Sequence, residues 1–149
     1  MPDDIILYIR FVHFALEREK KSLFETHNLT ASQGDILLFL GHAHHHQNAL
    51  NQKNIEEHFH LTNPTVTGLL KRLEEKGFIE RVKSETDARN KIIHLTDQSF
   101  NVLKKFFEHK QEMEKKLFRG MSEEKKEVVL GYLKEILANL NQDHDVCKK

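Results

Sequence analysis

The chain has 149 residues, 38% of them hydrophobic and 31% charged, with six Gly and two Pro. That is long enough to bury the core of one ordinary domain without staples, and too poor in Gly and Pro for a collagen-like or low-complexity chain. The 23 Lys and Arg balance 23 Asp and Glu at a sequence pI of about 7.2, so net charge gives nucleic-acid binding no support; any such case rests on where the charges sit.

No apolar run approaches the roughly 20 residues of a membrane span. The start, Met1-Pro2-Asp3-Asp4, lacks the basic region of a signal peptide, and the single cysteine, Cys147, rules out an internal disulfide framework. A cytoplasmic location is the expectation.

Ile5, Ile9, Val12, Leu16 and Leu23 recur at three- and four-residue steps between charged residues, which predicts an amphipathic helix ending near His27. Thr30-Ala31-Ser32-Gln33 reads as a capping box opening a short apolar helix through Ile36, Leu37 and Leu40 that stops near Gly41. After the polar stretch His42–Ala49, Asn51 reads as an N-cap, with Leu50 and Ile55 as a hydrophobic staple. The device repeats with Thr62 as N-cap, Leu61 and Val66 as staple and Pro64 in the first turn; Gly77 supplies a left-handed stop. Two short capped helices across a tight turn make a helix-turn-helix.

Phe78–Lys83 and Ile92–Leu95 switch towards period two around a polar stretch, Ser84–Asn90, predicting a hairpin. Thr96-Asp97 opens a long helix carrying Phe100, Leu103, Phe106, Phe107, Met113 and Leu117 on one side. Ser122 caps a last helix with a stripe of Val129, Tyr132, Leu133, Ile136 and Leu140; the residues from Gln142 read as a frayed end.

Wound at about 100° per residue, residues 62–76 turn Val66, Leu69, Leu70 and Leu73 to one face. The opposite face carries Pro64, Thr67, Gly68, Lys71 and Arg72, with Asn63 and Thr65 at its margins. Small uncharged groups let a helix backbone sit close in a major groove, where Thr and Asn meet base edges and Lys71 and Arg72 reach phosphate or guanine. The plainer alternative is a short polar surface face. Arg81, Lys83, Arg89 and Lys91 crowd the hairpin, with Asp87 placed to hold Arg89 or cap the turn. Such an arm suits a minor groove, although a charged hairpin alone is more often soluble surface.

Leu29-Thr30-Ala31-Ser32-Gln33, the run from Leu61 to Arg81, and Asp87-Ala88-Arg89-Asn90-Lys91 leading to Leu95-Thr96 resemble the MarR family closely. The resemblance implies a mainly α fold with a small β-hairpin wing (α+β), in a single domain over 1–149. Within it, a winged helix-turn-helix lobe (30–96) would be flanked by long N- and C-terminal dimerisation helices (1–28 and 97–141). It further implies a recognition helix in the major groove and Arg89 in the minor groove. One departure stands out. The family often has a glycine about four residues after Leu-Thr, where this chain reads Asp97-Gln98-Ser99-Phe100.

The expected DNA-contacting residues are therefore Asn51, Lys53, Thr62, Asn63, Pro64, Thr65, Thr67, Gly68, Lys71, Arg72, Arg81, Lys83, Asp87, Arg89 and Lys91. The expected partners are double-stranded DNA with a palindromic operator, a second copy of the chain and a small-molecule effector, with no membrane and no cofactor. His13, Glu17, Phe39 and His42 are the candidate effector-pocket residues. Apolar stripes on the outer helices favour the dimer independently, against an intramolecular bundle.

Eleven histidines are many. His42, His44, His45, His46 and His109 are candidate zinc ligands for a metal-responsive regulator of the same fold, yet they lack a helical ligand spacing and read by default as solvated loop histidines. No nucleophile–base pair, phosphate-binding Gly-rich loop or paired-Cys set points to an enzyme. A DNA-binding transcriptional regulator acting as a repressor is the expectation.

Overall fold

A computed structural model describes residues 3–87 and 90–141. In order, these form α1 (Ile5–Thr26), α2 (Ala31–His45), α3 (Gln52–Phe59), α4 (Asn63–Glu75), β1 (Ile79–Lys83), β2 (Lys91–Leu95), α5 (Asp97–Leu117) and α6 (Glu123–Asn141). No helix among them is long and apolar enough to cross a membrane. The chain divides into two compact units, residues 1–109 and 110–149.

The first unit holds the core: Phe24, Leu29, Ile36, Leu37, Leu40, Ile55, Val66, Leu70, Leu73, Phe78, Ile79, Ile93 and Val102. Burying each of these large side chains contributes about 1.5–3 kcal/mol. The end of α1 belongs to this core through Phe24, which is fully buried, whereas the stripe residues Ile5, Ile9 and Val12 are about half exposed or more. The helix α2 runs past Gly41 to His45, four residues beyond the expected stop, because Ala43 stays buried while the histidines turn outward. Thr30 and Gln33 form the expected capping box, and Asn51 and Thr62 cap α3 and α4 as expected.

Four successive helices of this unit close in one way. Asn28, Gln47, His60 and Gly77 adopt positive φ of 61°, 59°, 53° and 84°. The next residue then donates its N–H to the carbonyl five positions back: Leu29 to Phe24, Asn48 to Ala43, Leu61 to Glu56 and Phe78 to Leu73. This closure satisfies carbonyls that a helix end otherwise leaves orphaned. Only the last corner uses glycine. The Lys76 Nζ donates to Asn28 O at 2.7 Å and to buried Gln33 Oε1 at 2.9 Å, fastening the end of α4 to the α1–α2 corner.

The strands pair antiparallel with Ile79 opposite Leu95, Arg81 opposite Ile93 and Lys83 opposite Lys91. On its other edge β2 meets Leu50 in an isolated bridge, with Ile93 N donating to Leu50 O at 2.9 Å. The entry to α5, where the chain lacks the family's glycine, is tied down by hydroxyls. Thr96 Oγ1 donates to Gly77 O at 2.6 Å, and the fully buried Ser99 donates to Phe78 O.

In the second unit, the end of α5 turns through Gly120 (φ 80°) into α6, whose N-cap is Ser122 as expected: its Oγ accepts from Lys125 N. Lys126 pairs with Glu114 and lies 5.7 Å over the Phe118 ring. The Glu114 carboxyl is held below its usual range chiefly by that hydrogen bond, and Lys126 is raised by the same partner. No residue of α6 is buried: Val128, Leu130, Tyr132, Leu133, Ile136, Leu137 and Leu140 are all exposed.

Two tests follow from these corners. Left-handed backbone costs a residue other than glycine about 1–2 kcal/mol, of which the unfolded-state entropy of glycine returns about 0.5–1. Gln47→Gly and His60→Gly are therefore each expected to raise unfolding free energy by about 0.5 kcal/mol or more, measured by denaturant titration; a loss in both would contradict the corner geometry. Ser99→Ala leaves the Phe78 carbonyl only the longer hydrogen bond from Thr96 N at 3.3 Å and is expected to cost about 0.5–1.5 kcal/mol, against no change if the hydroxyl is incidental.

Candidate nucleic-acid interface

The helices α3 and α4 meet at the His60–Thr62 turn, and α4 sends Val66, Leu70 and Leu73 into the core. Its other face leaves Asn63, Pro64, Thr65, Thr67, Lys71 and Arg72 exposed and Gly68 half-buried. The first turn is fixed by hydrogen bonds rather than packing. Thr62 Oγ1 accepts from Thr65 N and donates to Thr65 Oγ1 at 2.9 Å. Asn63 Nδ2 donates to Glu56 Oε2 at 3.0 Å, and Gln52 Nε2 donates to Thr67 Oγ1 at 2.8 Å, so both residues bind α3 to α4. Arg72 folds back along its own helix to the Gly68 carbonyl at 3.3 Å.

The hairpin face that is apolar at its base becomes cationic outward: Ile79 and Leu95, then Arg81 and Ile93, then Lys83 and Lys91. Like charges directly opposite on a sheet are unfavourable alone. Lys53, Lys71 and Lys83 stand outside the ion pairs found among the described residues. Arg81 does not. Its Nη2 lies 3.0 Å from Glu74 Oε1, and its Nε donates to Glu74 Oε2 at 3.4 Å, a fork that ties β1 to α4. The Arg81 hydrogen bond is the main cause holding the Glu74 carboxyl below its usual range, with the charges of Arg81 and Lys91 adding to it.

At the base of the wing, Asn51 Nδ2 donates to Asn90 Oδ1 at 2.9 Å, and the Asp87 carbonyl accepts from Asn90 N at 3.0 Å. Arg89 lies outside the described residues, as does Cys147. Asn51, Gln52, Lys53, Asn63, Arg81, Asp87 and Lys91 line a cleft of about 520 Å³ between α3, the start of α4 and the hairpin. Most of the expected contact residues thus converge on one surface, built from α3, α4 and the wing. Sequence reasoning missed Gln52, Glu56 and Glu74; their partners lie 7 to 15 residues away, and no periodicity links them.

The candidate effector residues do not gather around either cavity found. Glu17 joins Lys20 and Asp35 in an ion-pair set, His13 lies beside Phe14, Phe39 stacks on His58 at 4.0 Å, and His42 meets His46 at 4.5 Å. A second cavity, about 460 Å³, is lined instead by Leu40, Ala43, His44, the Gln47–Leu50 loop, β2 and Phe100. Of the histidines of the expected metal set, His46 lies against both His42 and His45, His44 tilts against Phe100, and His109 buries an Nε2 that has no hydrogen-bond partner. Among the described residues no three His, Cys, Asp or Glu side chains converge as a metal site.

A family model described as the MarR family matches residues 29–91. The HTH-type transcriptional regulator PecS of Dickeya dadantii is 30% identical over 131 residues, 86% of this chain and 78% of PecS. The HTH-type transcriptional regulator MgrA of Staphylococcus aureus is 38% identical over 77 residues, 52% of this chain and 50% of MgrA. Among solved structures, MepR, a transcription regulator of the Staphylococcus aureus multidrug efflux pump MepA, is similar with a TM-score of 0.77 at 29% identity, over 92% of this chain and 98% of MepR. MepR in complex with DNA gives 0.70 at 28% identity, over 92% and 96%. By its match to PecS along most of both chains, and by a helix-turn-helix and wing that coincide with the matched residues, the chain belongs to the MarR family.

Proposed function

We propose that this MarR-family regulator binds a palindromic operator in double-stranded DNA as a homodimer and represses transcription from it, with a small-molecule effector relaxing the complex. The observation that carries this is the exposed face of α4, small and uncharged at its start and cationic at Lys71 and Arg72, continuous with a hairpin that opposes Lys83 and Lys91. Clustered cations on one face of a neutral chain cost stability unless a polyanion meets them. The solved complex of DNA with MepR, 28% identical, supports the same reading.

In this reading α4 enters the major groove. Thr65 and Thr67 face base edges, while Lys71, Lys53 and the wing residues Lys83, Lys91 and Arg89 face phosphates or the minor groove. The exposed apolar residues of α1 and of α6 support the homodimer, because apolar surface on this scale gains most by covering itself against a second copy. A two-fold axis then presents two α4 helices to half-sites roughly 34–36 Å apart. The 460 Å³ cavity at the end of α2 is of the size that small ligands occupy, which supports an effector.

Lys71→Ala is expected to weaken binding to every duplex and to lower the salt slope by about one unit, as loss of one phosphate contact does. Thr65→Val is expected instead to change base preference at one half-site position, by about 1–3 kcal/mol. Titrations at two salt concentrations against operator and mismatched duplexes separate these, and uniform loss from Thr65→Val would contradict the assignment. Sedimentation is expected to give a dimer at micromolar concentration, and Leu133→Glu a shift towards monomer. A wild-type monomer at high concentration would remove the two-fold model.

A further inference from the structure

We infer that Asn90, at the base of the wing, is a phosphate-binding residue whose amide is turned towards the DNA backbone by Asn51, the N-cap of α3. This rests on the DNA-binding reading above and adds to it a backbone contact that carries no charge.

The orientation of two amides follows from one backbone group. Asn54 N donates to Asn51 Oδ1 at 3.0 Å, and a backbone N–H only donates, so the end of Asn51 turned into α3 must be its oxygen. The NH2 end of Asn51 is then the one that meets Asn90. It lies 2.9 Å from that residue's amide and must meet the oxygen, Asn90 Oδ1. In an amide the donor and the acceptor are separate atoms, so fixing one end fixes the other. The Asn90 NH2 is left on the branch that points away from Asn51.

The backbone of Asn90 is held as well. Its N donates to Asp87 O at 3.0 Å, and its O accepts from Ser84 N at 2.8 Å. The Asn90 Nδ2 donates to none of the described residues, and among these only His109 buries a side-chain nitrogen or oxygen without a partner. The half-buried Asn90 therefore shows its NH2 to solvent, in the cleft that it lines with Lys53, Arg81 and Lys91.

What faces that cleft follows from the shape of a duplex. The cleft lies between α3, the start of α4 and the hairpin. With α4 in a major groove and Arg89 in the adjacent minor groove, the DNA between them is one sugar–phosphate strand, because that strand is what separates the two grooves. Phosphate oxygens only accept, so an NH2 suits them whatever the bases. The cleft also holds the carboxylates of Glu56 and Asp87, and its Arg81 is engaged by Glu74. A neutral donor contacts phosphate there without depending on net positive charge. Held already by three hydrogen bonds, Asn90 also has little freedom left to lose on binding.

The test titrates the full-length wild type, Asn90→Ala, Asn90→Asp, Asn51→Ser and the double variant Asn51→Ser/Asn90→Ala. Each meets a duplex selected from a random pool and its single-base variants at two salt concentrations, with unfolding free energy measured alongside. Asn90→Ala is expected to weaken binding to every duplex by about tenfold, the worth of one hydrogen bond to a charged acceptor. Its salt slope should match wild type, because no cation is lost. Asn90→Asp keeps the bond from Asn51 but turns a carboxylate oxygen outward, so a larger loss on every duplex is expected. Serine still caps α3 but has no group to hold the Asn90 amide. Asn51→Ser is therefore expected to lose part of the same affinity, and to lose none in the Asn90→Ala background. A merely structural tie would lower unfolding free energy and leave the folded variants binding as wild type does; that result overturns this inference alone. A flattened slope or an altered base preference in Asn90→Ala overturns the assignment to phosphate, and additive losses overturn the role of Asn51. If wild type binds no duplex, the DNA-binding reading and this inference fail together.

Discussion

One aromatic ring sets the geometry on which the first unit depends. Phe24 lies where a side chain on Gly34 would be: a Cβ there would come within 2.3 Å of the ring. On its other side Phe24 stacks against Phe106 at 5.7 Å and 10°. Three helices, α1, α2 and α5, therefore meet at a single fully buried side chain, and α1 approaches α2 as closely as a bare backbone allows. The carbonyl of the same residue receives Leu29 N to close the corner, and the ammonium of Lys76 grips that corner at Asn28 O. The aim of α4 is thus anchored in the core, at the end of the helix farthest from its first turn.

The orientation of the first turn of α4 has a separate origin. Gln52 and Glu56 hold Thr67 and Asn63 from α3, while Arg81 grips Glu74 from β1. Arg81 shows how a formal charge differs from an available one. The fork it makes with Glu74 offsets both charges inside the protein, whereas Lys53, Lys71 and Lys83 stand outside the ion pairs of the described residues. Total charge therefore said little about this surface, because its sign depends on which carboxylates are already engaged.

Much of the fold was legible because its signals are local. Thr30 with Gln33, Asn51, Thr62 with Pro64, Gly77 and Ser122 each act within four residues, and each helix start or stop they mark stands where expected. What escaped had a non-local or a conformational cause. Polar His42–His46 reads as a loop, yet α2 continues because Ala43 finds a place in the core. The α1 stripe pointed to Leu23, but the buried residue is its neighbour Phe24, chosen by the space at Gly34. Asn28, Gln47 and His60 gave no glycine to mark their turns. At the site, residue types pointed to α3, α4 and the hairpin as a group, but the task of Arg81 depended on a glutamate across a helix end. The neighbours of His13, Glu17, Phe39 and His42 were likewise not named by spacing alone.

The four corner closures also bear on how the chain assembles. Each joins residues five apart, so it forms with its helix and closes almost no loop. Contacts of that kind are made on the time scale of helix formation itself, about a microsecond. The bridge between Leu50 and Ile93, by contrast, must bring together segments separated by two whole helices and a strand. Entropy therefore places the wing last: helices and corners arise early and cheaply, and the hairpin docks onto a helical platform already made. The part of the molecule that sets two like charges opposite each other, Lys83 against Lys91, is then also the part whose ordering waits longest.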